Sequence, residues 1–192
     1  MGPVNPRYVA PYPFTPHELW LRIAPVFKGS PHDIDQTFMQ KTLGTGPFRF
    51  DPREFGNYYL LDGVDWYVTA SYAFYDDKRE ERGVSFVFTP RFPVGPVADG
   101  LCVDVQEIAS TLRSEGWVGG GRQGGGTLDR ASYVWDVLGF AKDGATLQVS
   151  YEFRDGKDVD HGCAASILML DLAASRRQQE LDDRIRNHRK EE

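Results

Sequence analysis

Residues 66–78 read WYVTASYAFYDDK, and residues 145–157 read ATLQVSYEFRDGK. In both stretches large apolar residues recur at every second position, which is the period of a strand with one buried face. Five residues are identical between the stretches at a constant spacing of 79 positions. They are Ser71, Tyr72, Phe74, Asp76 and Lys78 in the first, and Ser150, Tyr151, Phe153, Asp155 and Lys157 in the second. These stretches are predicted to be equivalent strands of a duplicated unit.

A helix signal precedes each of these strands. Thr15 and Glu18 form the first capping box, with Pro16 at the first helical position, and Asp104 and Glu107 form the second box. Asp-Gly pairs at residues 62–63 and 143–144 then favour a hairpin turn before each strand. The order helix, turn and strand is thus repeated along the chain.

The two caps lie 89 positions apart, whereas the two strands lie 79 positions apart. The first copy therefore holds about ten more residues between its helix and its strands. Residues 30–33, Ser-Pro-His-Asp, predict a second short helix there. Strands are predicted near residues 57–61, 66–75 and 84–88, and near residues 132–140, 145–154 and 164–170. Hairpin connections indicate antiparallel pairing, with the helices against one face of the sheet.

The sequence therefore predicts an α+β fold of two tandem helix-plus-three-strand units followed by a C-terminal helix. The predicted parts are an N-terminal arm at 1–14, a first repeat at 15–89, a linker at 90–102, a second repeat at 103–171 and a polar helix at 172–192.

Composition restricts the classes of partner. The 192 residues carry a net charge of −6, which disfavours binding to nucleic acid. No apolar run approaches the ~20 residues that span a bilayer, and residues 1–14 lack the apolar segment of a signal peptide. A soluble cytoplasmic protein without a membrane partner is predicted.

Strand alternation predicts a polar sheet face that is free to bind a protein. Exposed tyrosines offer a large contact area, and serine, threonine and glutamine offer adaptable hydrogen bonds. Acidic residues in the loops after the strands favour a basic partner. The predicted partner-binding residues are Tyr67, Thr69, Ser71, Tyr75, Asp76, Asp77, Glu80, Glu81, Gln148, Ser150, Glu152 and Arg154. An ordinary solvated sheet face is the alternative interpretation.

Other motifs give little support for catalysis or cofactors. Gly119, Gly121 and Gly124 have the spacing of a dinucleotide-binding loop, but a helix precedes them and a strand follows, so a flexible loop is predicted. Residues 158–162 lack the terminal glutamate of a calcium loop. The four histidines are scattered, and Cys102 and Cys163 are expected to be reduced and buried. No catalytic residue, metal site or cofactor is predicted.

The order of elements over residues 15–170 resembles that of the β-lactamase-inhibitor proteins and of bacterial immunity proteins that neutralise toxins. Three predicted strands per unit are fewer than the four typical of the inhibitor proteins, and no functional residue is carried over. The resemblance implies a cytoplasmic inhibitor that occludes a toxin, with a basic toxin domain as its partner. A ligand-binding or enzymatic domain with a pocket between the repeats is the alternative, and a self-associating component of a phage or secretion assembly is a third possibility.

Overall fold

A computed structural model of the chain describes the backbone of residues 16–43, 49–51, 56–62, 66–74, 82–90, 103–124, 126–127, 133–154 and 162–191. The strands are β1 (Arg49–Asp51), β2 (Gly56–Asp62), β3 (Trp66–Phe74), β4 (Arg82–Pro90), β5 (Val118–Arg122), β6 (Gly126–Thr127), β7 (Tyr133–Lys142), β8 (Ala145–Arg154) and β9 (Cys163–Asp171). The helices are α1 (Pro16–Ile23), α2 (Gln36–Leu43), α3 (Val105–Ser114) and α4 (Leu172–Glu191), with 3₁₀ helices at Ala24–Lys28 and Pro31–Asp33.

The described strands form one antiparallel sheet of nine strands. Its order is β1-β2-β3-β4-β9-β8-β7-β5, and the short β6 pairs with β7. Strands β4 and β9 join the two halves of the chain, with Phe86 opposite Ile167. The predicted α+β class, the antiparallel pairing and the C-terminal helix are confirmed, and the six predicted strands lie within two residues of their expected ends.

One hydrophobic core fills the space between the sheet and the first three helices. Trp20 and Phe27 from the first half and Leu112 from α3 pack there with alternate residues of β4, β8 and β9. The buried indole of Trp117 donates a hydrogen bond of 2.7 Å to the carbonyl oxygen of Phe27. The two halves of the chain therefore share one interior.

Both ends of α3 are stabilised by capping contacts, and the first is at the predicted Asp104. The Asp104 side chain accepts the N–H of Gln106 at 2.7 Å, as an N-cap does. At the other end Gly116 has a φ of +89°, and the N–H of Trp117 bonds to the carbonyl of Leu112 at 3.0 Å. These contacts are those of a Schellman motif, which places the Trp117 side chain under the helix.

The second helix begins later than predicted. Ser30 caps only the short 3₁₀ helix Pro31–Asp33. Asp35 then accepts the N–H of Phe38 at 2.7 Å and caps α2, which starts at Gln36. Two successive caps therefore divide the single helix that was predicted from Ser30.

The glycine-rich segment is a strand and not the predicted flexible loop. Val118–Arg122 forms β5 at the sheet edge and pairs with β7, with a register shift between Gly119 and Gly121. Gly119 has a φ of +127°, and a Cβ there would lie 2.4 Å from the carbonyl oxygen of Gly139. Glycine is required at this position because it permits both the backbone angle and the close approach of β7.

Helix α4 starts at the far end of β9. The buried Asp171 carboxylate accepts the N–H of Ala174 at 2.7 Å, so Asp171 caps the helix. Leu170 and Ala174 are buried but do not belong to the core cluster beneath α1–α3. Because Leu170 alternates with the core residue Met169 along β9, the first turn of α4 lies towards the opposite face of the sheet.

The expectation of reduced cysteines is wrong for Cys163, which is disulfide-bonded. Backbone pairing explains how a partner can reach it: Val103 and Asp104 run beside the start of β9, where the N–H of Ala164 bonds to the carbonyl of Val103 at 2.9 Å. Sequence spacing alone could not reveal this, since Cys163 stands 61 residues after Cys102, the other cysteine of the chain.

Candidate functional site

The candidate site is the sheet face that points away from the core, called the outer face here. Cross-strand registers align its residues in rows across four strands: Val87 pairs with Ser166, Ser166 with Ser150, and Ser150 with Val137. The described outer-face side chains include Ser85, Val87, Trp135, Val137, Thr146, Gln148, Ser150, Glu152, Cys163, Ser166, Leu168 and Leu170.

This face mixes apolar and small polar side chains. Val87 is 40% exposed and Trp135 is 38% exposed. Gln148, in the row next to that of Val87, is also exposed, and Ser150 and Ser166 are partly buried. An exposed tryptophan and valine among small hydroxyl groups are features of protein-binding surfaces, whose centres favour aromatic residues over charged ones.

The predicted alternation is confirmed on β8. Leu147, Val149 and Tyr151 are buried in the core. Between them, Gln148 and Ser150 lie on the outer face, followed by Glu152. On β3, the predicted outer-face residues Tyr67, Thr69 and Ser71 pair with Thr89, Val87 and Ser85 of β4.

Several predicted binding residues lie outside the described part of the structure. The side chains of Tyr67, Thr69, Ser71 and Arg154 are among them, although their backbone belongs to β3 and β8. The segment that holds Tyr75, Asp76, Asp77, Glu80 and Glu81 is entirely outside it. The role proposed for these residues stays a prediction.

The described strand ends that flank the two predicted acidic loops lie at opposite ends of the sheet. Phe74 pairs with Arg82, and Gly83 pairs with Leu170, so these residues lie where β9 ends. Glu152 pairs with Cys163, so the end of β8 lies where β9 begins. The acidic loops themselves, at residues 75–81 and 155–161, lie outside the described residues.

Sequence reasoning missed Trp135 and Val137. Both lie on the outer face of β7, and the adjacent Leu138 and Phe140 are buried with Asp136. The buried set therefore contains a carboxylate, whereas the outward set contains a tryptophan and a valine. Hydrophobicity alone would bury Trp135 and expose Asp136. The register with β8 shows the reverse, because Asp136 pairs with the buried Tyr151 and Trp135 pairs with Glu152.

The buried Asp136 has partners that account for its position. Its carboxylate accepts hydrogen bonds from the guanidinium of Arg122 on β5 and, at 2.7 Å, from the N–H of Val137. A buried carboxylate is costly unless it is paired, so this ion pair fixes the edge strand β5 to β7.

The second buried carboxylate, Asp171, has a similar structural role. Besides capping α4, it accepts the N–H of Arg82, and its oxygen lies 3.5 Å from the His32 ring. The Arg82 guanidinium in turn donates to the carbonyl of His32 at 3.0 Å. Asp171 thereby joins the start of β4, the end of β9 and the helical layer.

Glu152 differs from these two acids. It is half-buried on the outer face, and burial raises the pKa of its carboxyl above the ordinary value of 4.5. Within the described residues, no hydrogen-bond or ion-pair partner of this carboxylate is found. A carboxyl with a raised pKa at an open surface is a candidate for binding or proton transfer.

In the residues that the structure describes, no group of three or more His, Cys, Asp or Glu side chains could hold a metal ion. None of the described helices combines the length and the apolar character needed to cross a membrane. Comparison with family models, with curated proteins and with solved structures finds no match to this chain.

Proposed function

We propose that this chain is a protein-binding module, an inhibitor or immunity protein that uses the outer face of its sheet to occlude a toxin. The observation that supports this proposal most directly is the exposure of Trp135 and Val87 on that face, among small polar side chains. Truncating a central aromatic residue of a protein interface commonly removes about 2 kcal/mol or more of binding free energy.

The sheet edges support docking through the face. At one edge β1 has only three residues. At the other, β5 carries a register shift and two glycines with positive φ, Gly119 and Gly120. Short or bulged edges discourage the addition of a strand from another chain. A partner would therefore meet the side chains of the outer face.

We also propose that the two halves are diverged copies of one unit. In support, Tyr58 pairs with Ser71 and Val137 pairs with Ser150, so each strand of the second hairpin lies 79 positions after its counterpart. The strand order β2-β3-β4 is followed by β9-β8-β7, as expected if two copies pair through their last strands. The second copy differs from the first by a register shift between Ser150 and Tyr151 in the pairing of β8 with β9.

The proposed pocket between the repeats has less support. Hydrogen-bonded strands β4 and β9 occupy the boundary between the halves. Beneath them Trp117 bonds to Phe27, and apolar side chains of both halves fill the space. Because these described side chains fill the boundary between the halves, the outer face is the better candidate for the binding site.

The cytoplasmic location stays a prediction, and one observation argues against it. Disulfides persist in oxidising compartments and are rare in the cytosol. The disulfide at Cys163 therefore favours a partner met in an oxidising environment. A basic toxin domain remains the partner class that the net charge of −6 favours.

Affinity capture from the native cells tests the proposal with face variants and a matched control. Trp135→Ala and Val87→Ser change the outer face, whereas Leu21→Ala removes an apolar side chain that is 59% exposed on α1. We expect one captured protein to be retained by Leu21→Ala and to bind the two face variants about tenfold more weakly or worse. The captured protein should also lose activity when the unaltered chain is added.

Equal capture by all four forms would show that the outer face is not the docking surface. Specific capture without any effect on the partner's activity would retain a binding module but reject an inhibitor.

A further inference from the structure

One row of the outer face brings an aromatic ring, a carboxylate and a disulfide together. Trp135 on β7 pairs with Glu152 on β8, and Glu152 pairs with Cys163 on β9. Directly opposed residues of antiparallel strands have Cβ atoms about 4.5–5.5 Å apart. Glu152, which is half-buried, therefore stands between Trp135 and the disulfide-bonded Cys163.

Other acids with restricted exposure lie beside arginine, lysine or histidine side chains. Asp136 has Arg122, and Asp171 has His32 at 3.5 Å. On the helical side Glu115 lies 2.9 Å from Lys28, and Glu107 lies 3.1 Å from His17. Glu152 departs from this pattern, since the described residues place no cation or hydrogen-bond donor on it. Burial therefore desolvates the Glu152 carboxylate, and no group in the described part of the chain compensates its charge.

A cation from a second molecule would supply that compensation. The carboxylate gains a charge-assisted hydrogen bond, and the indole of Trp135 offers a π face to the same cation. The chain already contains a related pairing, because the Lys142 ammonium lies 6.0 Å from the centre of the Trp117 ring. A guanidinium suits the outer-face row best, because it is planar, stacks on aromatic rings and bonds a carboxylate through two N–H groups.

We propose that Glu152 and Trp135 form an anchor for an arginine side chain of the protein partner. This inference rests on the proposed function, and it identifies the partner surface as one that presents an arginine. The exposed part of Trp135 and the neighbouring Ser150 and Gln148 then contact residues around that arginine. The excess of acidic residues in the chain favours the approach of such a basic surface.

A peptide titration tests the anchor without the physiological partner. The probe is Ac-Gly-Arg-Gly-NH₂, compared with the same peptide containing citrulline, which has nearly the same shape and no charge. We expect the arginine peptide to shift the indole N–H resonance of Trp135 saturably and to move the titration of the Glu152 carboxyl to lower pH, because a bound cation favours the charged form. The citrulline peptide should do neither.

Two variants separate a specific anchor from general attraction. Glu152→Gln should weaken the association about tenfold, since it replaces a charge-assisted contact by a neutral one. Asp143→Asn removes the same charge from the exposed turn between β7 and β8 and should leave the association unchanged. Equal loss in both variants, or equal binding of the arginine and citrulline peptides, would overturn the anchor.

The captured partner distinguishes failure of the anchor from failure of the proposed function. If Val87→Ser and Trp135→Ala abolish capture but Glu152→Gln does not, the docking face stands and the anchor is wrong. If the peptide binds as expected but none of the face variants affects capture, the anchor stands as an arginine site and the proposed function is wrong.

Discussion

At the scale of single residues, buried carboxylates divide into two kinds. The Asp136 carboxylate accepts a backbone N–H and pairs with Arg122, and the Asp171 carboxylate caps α4 and lies beside His32, so both hold elements together. Glu152 is only half-buried and has no such partner among the described residues. An uncompensated, half-buried charge opposes folding, and its retention at an open surface is explained most simply by a binding role.

The pH dependence of stability tests the state of Glu152. Because the pKa of its carboxyl is higher in the folded protein than its ordinary value of 4.5, folding favours the protonated form. The stabilising contribution of this carboxyl is complete below pH 4.5, and it is lost as the pH rises through the folded-state pKa. Glu152→Gln should therefore be more stable than the unaltered protein at about pH 7 and similar at about pH 4.

Urea unfolding at the two pH values measures this difference. Glu180→Gln is the control, because Glu180 is exposed on α4 and its replacement should leave the stability curve unchanged. If Glu152→Gln changes the free energy of unfolding by the same amount at both pH values, the Glu152 carboxyl is fully solvated in the folded protein.

At the scale of elements, the glycine-rich edge strand is the clearest case in which local composition hides the structure. Gly119 and Gly124 both have positive φ, at +127° and +99°. A Cβ at Gly119 would meet the backbone of β7 at 2.4 Å, whereas a Cβ at Gly124 meets no atom within 4 Å. The two positions share the cost of the backbone angle and differ in the steric clash.

Gly124→Ala should cost about 1–2 kcal/mol of unfolding free energy, which is the price of a left-handed L-residue. Gly119→Ala should cost at least about 1 kcal/mol more, because β5 must move away from β7. Denaturant unfolding of both variants checks the difference. Equal costs would indicate that β5 is not held against Gly139.

What the sequence predicts well is what local chemistry determines. The strand period placed Leu147, Val149 and Tyr151 in the core, and the N-terminal cap of α3 was readable from Asp104. The strand character of β5 was not readable, because glycines are poor strand formers and the pairing with β7 is a tertiary contact.

The candidate site was predicted only in part, for a related reason. Gln148, Ser150 and Glu152 were placed on the correct face from their own strand. Trp135 was missed, since the buried Asp136 reverses the apparent polarity of β7. The ion pair of Asp136 with Arg122 is a contact between β7 and β5, and the residue pattern of β7 alone cannot reveal such a contact.

At the scale of the whole molecule, the two halves form one sheet and one core. Helices α1–α3 cover one face, and α4 starts towards the other face beside Leu170. The functional proposal depends on the remainder of that outer face being open to solvent. Protein docking, the arginine anchor and the state of Glu152 all require this arrangement.

Hydroxyl-radical footprinting of the free protein, read by mass spectrometry at individual tryptophans, tests this claim most directly. Trp20 and Trp117 are buried at 1% and 2% exposure, whereas Trp135 is 38% exposed on the outer face. We expect Trp135 to be oxidised many times faster than Trp20 and Trp117 in the same sample. Oxidation of Trp135 as slow as that of the two buried tryptophans would contradict the open face.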